Sequence, residues 1–277
     1  MKKSLSFFLV LLTLFCLPLT SDAGSVLFFS PTRIDLSDQT RSSSITVTNV
    51  SDRALVYKLS MHDYIMLEDG LTQRVDKFAY SAKRIVRFIP REVKLQPQER
   101  QIVRLMVRYR GDLPDGDYHS HLRFEEIPEK SAELNALNNP EKTAAMGAYV
   151  SYSAAIPITV SHGKTHVTID MKDVSLTQKP DSPRSYKIMM TLTRDGNSQG
   201  VAYFETYYVA PDGTRTEVTK RRTRHIYREV NQRNSDYEFT LPEGLAIEKG
   251  GQFTVTLFDK DDKTAEAINS ISLPAIP

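Results

Sequence analysis

Two histidines stand two residues apart in "YHSHLRF", at His119 and His121. On a strand that spacing turns both imidazoles to one face, and two imidazoles on one face are the beginnings of a zinc site. No third ligand accompanies them, so the pair reads as a half-exposed strand face and not as a metal centre. "DKDDK", at residues 259–263, gathers three aspartates. It lacks the spaced ligands and the bidentate glutamate of a calcium loop, and a hairpin turn is expected there. "KRRTRHIYR", from Lys220 to Arg228, is the densest basic run. A solvated strand or loop is the expectation for it, with an acidic partner or anionic lipid as the alternative. The sequence has no G-x-S-x-G, H-E-x-x-H, P-loop or dinucleotide fingerprint. Its scattered Ser, His and Asp residues form no triad. Enzyme activity and a cofactor are therefore not expected.

The remaining chemistry is that of the main chain. "AAMGAYVSYSAAIPITV", from Ala144 to Val160, has no charged residue in a chain that is 25% charged. Ala144, Met146, Ala148, Val150, Tyr152, Ala154, Ile156 and Ile158 alternate with smaller or more polar residues. Period 2 predicts a β-strand, yet an ordinary strand has about 5–6 residues and this one is more than twice as long. A long apolar edge strand invites pairing with another chain, and proteins usually cover or charge it. The residues that must position such a strand come next.

Lys2 and Lys3 precede an apolar run from Phe7 to Leu17, followed by "LPLTSDAG" with Ser21 and Ala23 at the positions of a signal-peptidase site. The run is too short to span a bilayer, so residues 1–23 read as a secretory signal. The single cysteine, Cys16, lies within it. The mature chain is then expected to hold neither a disulfide nor a thiol nucleophile. The 36 basic residues less Lys2 and Lys3, and the 34 acidic residues less Asp22, leave a balance of about +1. Such a charge gives no steering toward nucleic acid or membrane.

The mature chain reads as a series of short strands. "SVLFF", "RIDL", "SSSITVTN", "ALVYKLSM", "KRIVRFIP", "REVKL", "RQIVRLMVRYR" and "YHSHLRFEEIP" are separated by turn chemistry such as "NVSDR", "QPQE" and "DLPDGDY". "EKSAELNALNNPEK" interrupts the pattern as a mobile loop or a turn of helix. Beyond "SHGKTHVTI" about seven more strands follow. The fold class is all-β, with an N-terminal domain over residues 24–161 and a C-terminal β-sandwich over 162–277.

In "LPDGDYHSHLRFEEIP", Gly116-x-Tyr118 resembles the tyrosine corner of immunoglobulin-like domains, with Ser120 where an antibody domain has a cysteine. "SPTRIDL", "LQPQERQIVRL" and "HLRFEEIP" before a loop and a long apolar strand stand in one order, and "LTRDGNSQGVAYFETYYVAPDG" follows in the second half. This ordered set resembles the PapD-like periplasmic pilus chaperones. The resemblance implies two immunoglobulin-like domains arranged as an L. It also implies a function: capping pilus or fimbrial subunits by lending them a strand, and delivering them to an outer-membrane usher. Donor-strand complementation is a known form of β-augmentation. The inserted side chains expected here are Met146, Ala148, Val150 and Tyr152, and a register slip of one residue would exchange them for Gly147, Tyr149 and Ser151.

The resemblance also implies a basic anchor for the subunit's C-terminal carboxylate, at Arg33 of "SPTRIDL". The family's second anchor is a lysine on the donated strand, but nothing basic lies between Lys142 and His162. Arg104 and Arg87 are the alternatives for it. Expected partners are fibre subunits and the usher, with no nucleic acid and no stable membrane insertion. Free protein is a candidate for a self-capping dimer, since the exposed strand would pair with itself. The alternative function is a secreted structural or adhesive module. A fibre subunit would carry a disordered donor extension after its signal, whereas here "SVLFFSPTRIDL" begins almost at once. A carbohydrate-binding module would need an aromatic platform, and the chain has no tryptophan.

Overall fold

The computed structural model describes residues 26–109, 112–138, 151–262 and 264–275. They form two β-sandwiches, each around its own apolar core. In the first, one sheet runs in the order β1 (Leu27–Ser30), β3 (Ser42–Asn49), β8 (Arg100–Val107), β6 (Val86–Ile89). The facing sheet runs β2 (Ile34–Ser37), β10 (Ser153–His162), β9 (Gly116–Glu126), β4 (Leu55–Met66), β5 (Thr72–Val75), with β7 (Glu92–Leu95) also paired to β4. Alternation sorts the faces. Ile45 and Val47, Leu55, Tyr57 and Leu59, and Leu122 and Phe124 point into the core. Burying each medium apolar side chain contributes roughly 1.5–3 kcal/mol before ordering costs.

Polar residues fix the corners. Tyr118 donates its hydroxyl to the Pro114 carbonyl at 2.7 Å, closing a tyrosine corner. Ser120, at the antibody cysteine position, is fully buried and donates to Asp63 Oδ1 at 2.6 Å. Asn49, also fully buried, closes the "NVSDR" turn by donating to the Arg53 carbonyl and accepting from Ser51 N–H.

The second sandwich has a sheet of β11 (Val167–Lys179), β12 (Ser182–Gly196) and β15 (Gln232–Thr240). Its other sheet is β14 (Arg215–Ile226), β13 (Gly200–Val209), β16 (Gln252–Phe258) and β17 (Asn269–Pro274). The aromatic centre comprises Tyr186, Phe204, Tyr208, Tyr237, Phe239 and Phe253. Three local expectations change. "DKDDK" opens the connection of the antiparallel β16–β17 hairpin, as expected, but that connection is longer than a tight turn. The basic run is less solvated than expected. Arg221 pairs with Glu205 at 2.6 Å, and Arg222 and Arg224 donate to the Glu238 and Asp236 carbonyls of β15. Arg222 and Arg224 thus bridge the open side of the sandwich, where β14 and β15 belong to different sheets.

The third change is the interruption after β9. It is an eleven-residue helix, α1 (Pro128–Asn138), not a loop or single turn. Proline opens it at a position that needs no N–H, and Glu, Ala, Leu and Lys are good helix formers. Asn135 docks it by accepting from Ala54 N–H and donating to the Ala54 carbonyl, both at 2.8 Å. Ser131 accepts from Val56 N–H at 2.9 Å. Among the described residues no helix is long and apolar enough to cross a membrane.

Candidate functional site

The long apolar strand is described from Ser153 onward. Met146, Ala148 and Val150 lie outside the described residues, while Tyr152 is 39% exposed just before β10. Its N–H donates to Glu126 Oε2 at 3.4 Å, so the segment enters beside the end of β9. Glu126 is held in turn by Arg53 at 2.7 Å.

The two sides of β10 differ. On one side it pairs with β9 along its whole length, from Ser153↔Glu125 to His162↔Gly116. On the other it pairs in parallel with β2 only from Ile158↔Ile34 to Ser161↔Ser37. Residues 153–157 therefore have one neighbouring strand among the described residues and present a free edge. Pro157 closes that edge; a proline is tolerated at an edge because no ladder requires its missing N–H. Ile156, Ile158 and Val160 face the core. By strand parity Ala154 shares that face.

The chain switches sheets between β1 and β2, and Arg33 emerges at the switch. It donates from Nε to Asp35 at 3.0 Å and from Nη2 to Thr159 Oγ1 at 2.9 Å. Nη2 also reaches Gln199 Oε1 of the C-terminal domain at 2.5 Å, and the guanidinium lies 5.8 Å from the Tyr227 ring centroid. Arg33 thus stands at the junction of the two domains. Arg87 and Arg104 stand elsewhere, together on the β8–β6 side of the opposite sheet. There they line a groove of about 400 Å³ with Ser42–Ser44, Ile89 and Met106. The structure brings those two together and separates them from Arg33.

The histidine pair is not a half-exposed face. His119 is 2% exposed and His121 is 9% exposed, because the C-terminal domain covers their side of β9. His119 Nε2 meets Glu229 Oε2 at 3.0 Å and its ring stacks on Tyr227 at 4.2 Å. His121 stacks edge-on against Tyr64 at 4.8 Å. Burial, then the charges of His119 and Arg33, hold the His121 pKa down to about 4.

Several residues that build this junction lie in stretches the sequence marked for other reasons. Asp117 accepts from Ser161 Oγ on one oxygen, and from Ser198 Oγ and Gln199 N–H on the other. Arg228 donates to the Asp117 and Asp115 carbonyls and lies over the Tyr80 ring at 4.1 Å. Arg194 is 5% exposed and donates to the carbonyls of Val230, Gly196, Ser198 and Arg228 and to Asn231 Oδ1. It organises the two loops that meet the N-terminal domain. Gly116 sits at φ +130°, and a Cβ there would fall 2.4 Å from the Asn197 carbonyl oxygen, so the close approach of the domains requires glycine.

No family model and no curated relative matches the sequence. Among solved structures, the chain is similar over 91% of its length to all of a chain from a chaperone–tip adhesin complex of CFA/I fimbriae biogenesis, at 12% identity and a TM-score of 0.45. It is similar to the YadV chaperone over 90% of this chain and 100% of that one, at 12% identity and a TM-score of 0.45. A third similarity is to the chaperone–tip subunit complex CsuC–CsuE of Acinetobacter baumannii Csu pili. It covers 90% of this chain and 98% of that one, at 12% identity and a TM-score of 0.42. The two-sandwich architecture itself rests on this chain's own strand order and two cores.

Proposed function

We propose that the protein is a PapD-like periplasmic chaperone that caps pilus or fimbrial subunits and passes them to an outer-membrane usher. The observation that carries this reading is the half-paired β10. Its residues 153–157 offer an open main-chain edge, and the uncharged alternating segment 144–152 leads directly into it. An edge of this kind is the template for strand addition. Met146, Ala148, Val150 and Tyr152 form the inserted set, on the parity of the core-facing Ile156 and Ile158. Arg33 is the carboxylate anchor, because it reaches the cleft between the domains while Arg87 and Arg104 do not. In this reading residues 1–23 are the cleaved signal. No nucleotide is consumed, since subunit folding and strand exchange supply the free energy.

The test is co-purification. The tagged mature chain is expressed in the periplasm with the fibre-subunit genes of its own genome, alone and as Val150→Glu. Capture by the wild type and loss with Val150→Glu supports strand donation with Val150 inserted. Retention by the variant moves the register by one residue. No subunit in either case overturns the chaperone reading in favour of a secreted structural module.

A further inference from the structure

The seam between the domains has carboxylates that are satisfied from within. Glu229 accepts from His119 and the Met66 N–H. Asp117 accepts from three donors, and Asp63 is held by Ser81, Ser120 and Lys83. Three imidazoles keep a buried nitrogen with no hydrogen-bond partner among the described residues, Nδ1 of His119, His121 and His225, and of these His119 is already paired through Nε2 with Glu229. His121 belongs to the N-terminal domain and His225 to the end of β14 in the C-terminal one.

The Arg33 charge acts on both. Arg33 immediately precedes the Ile34↔Ile158 pair, level with Pro157, and Pro157 is opposite His121 in the next ladder. Arg33, Pro157 and His121 thus form one transverse row on the face turned toward the C-terminal domain. Pro157 carries no charge and no polar side-chain atom, so nothing ionic separates the guanidinium from the imidazole. Among the described residues Nη1 of Arg33 has no carboxylate partner, and the one carboxylate on its Nε, Asp35, is 58% exposed.

We propose that His121 and His225 complete, with Arg33, an anion site between the two domains that takes up a carboxylate together with a proton. The proposal rests on reading this cleft as the subunit-carboxylate site, and it adds the missing partners of Arg33 and a pH response. The proton comes from solvent to an imidazole, and no covalent bond changes.

The surroundings set the direction. His121 is faced on β9 by His119 and Arg123, from β4 by His62, Asp63 and Tyr64, from β2 by Arg33, and from the C-terminal domain by Glu229 and Tyr227. His225 is faced by Arg33, Asp35 and Arg233. In the free protein burial, aided by Arg33, holds both imidazoles at about 4, so both are neutral at pH 7. A bound carboxylate favours the charged imidazole and raises its pKa. Binding therefore takes up a proton at pH values below the pKa of the bound state, and affinity rises as pH falls from that value toward about 4. The limit is about tenfold per pH unit for each proton taken up.

The experiment is an NMR titration of the histidine Cε1–H signals in the full mature chain, with N-acetylphenylalanine and separately with its amide as probes. The free acid is expected to raise the pKa of His121 and His225 by at least about 1, the amide to leave both unchanged, and Arg33→Gln to abolish the response. Absence of movement with the acid, or equal movement with acid and amide, overturns the proposal. The wild-type titration decides even if a variant fails to fold. Subunit capture with and without Val150→Glu is scored separately. Loss of the chaperone reading with a normal titration leaves the anion site standing, and capture without any imidazole response removes only the anion site.

Discussion

His119 Nε2 and Glu229 Oε2 meet at 3.0 Å across the domain seam, with both side chains almost wholly buried. Glu229 also receives the Met66 N–H at 2.7 Å. Burial alone would raise the Glu229 pKa. The hydrogen bond and charge of His119, with the Met66 N–H, more than offset it and hold the carboxyl below its usual 4.5. Glu229→Ala leaves a buried imidazole and a buried N–H unpaired and should cost about 3 kcal/mol, read as a lower urea midpoint. An unchanged midpoint would show that the seam does not depend on this pair.

Acid should destabilise the protein well before the carboxylates titrate. His121 and His225 are held down to about 4, against 6.5 in the unfolded chain. Between these values the unfolded state binds more protons than the folded state, so stability is full above about pH 6.5 and falls as pH drops toward 4. Urea denaturation at several pH values measures the slope. His121→Phe should flatten it, whereas an unaltered slope would move the acid response to other groups.

Arg194 is expected to be the most sensitive single position at the junction. Arg194→Met keeps the apolar stem but removes donors from four carbonyls and Asn231 Oδ1. A loss of about 3 kcal/mol or more should follow, since several buried acceptors lose their partners. Faster amide exchange is expected in residues 196–199 and 228–231, with the centre of β13 and β16 still protected. Uniform exchange throughout the second sandwich would instead mean that the whole domain depends on Arg194.

Tyr118→Phe removes one hydrogen bond and little else, because the ring is buried with its hydroxyl on the Pro114 carbonyl. The cost should be about 1 kcal/mol, seen in thermal or urea unfolding of the N-terminal sandwich. A neutral substitution would show that the corner is held by ring packing alone.

The helix α1 and the histidine pair show why part of the molecule was hidden from the sequence. Asn135 bonds the backbone of Ala54, some eighty positions earlier in the chain, and no local pattern announces that contact. His119 and His121 alternate with core residues as an outward face should. Their burial depends on a second domain whose loops are placed by Arg194 and Arg228. Arg33, Arg87 and Arg104 are alike as sequence, each a basic residue on or beside a strand, yet only Arg33 lies where the two domains meet.

The sequence by itself determined the strands, the two all-β halves and the tyrosine corner, because period-2 alternation and turn chemistry are local and follow from backbone geometry. It also marked 144–160 as an uncharged, alternating stretch. Tertiary structure alone decided that β2 joins β10 only from Ile158, which leaves the preceding edge open, and that Arg33 reaches Gln199 across the domain seam. Those relations join residues far apart in the chain. They depend on sheet register and domain contact, which the spacing of residues along one strand does not encode.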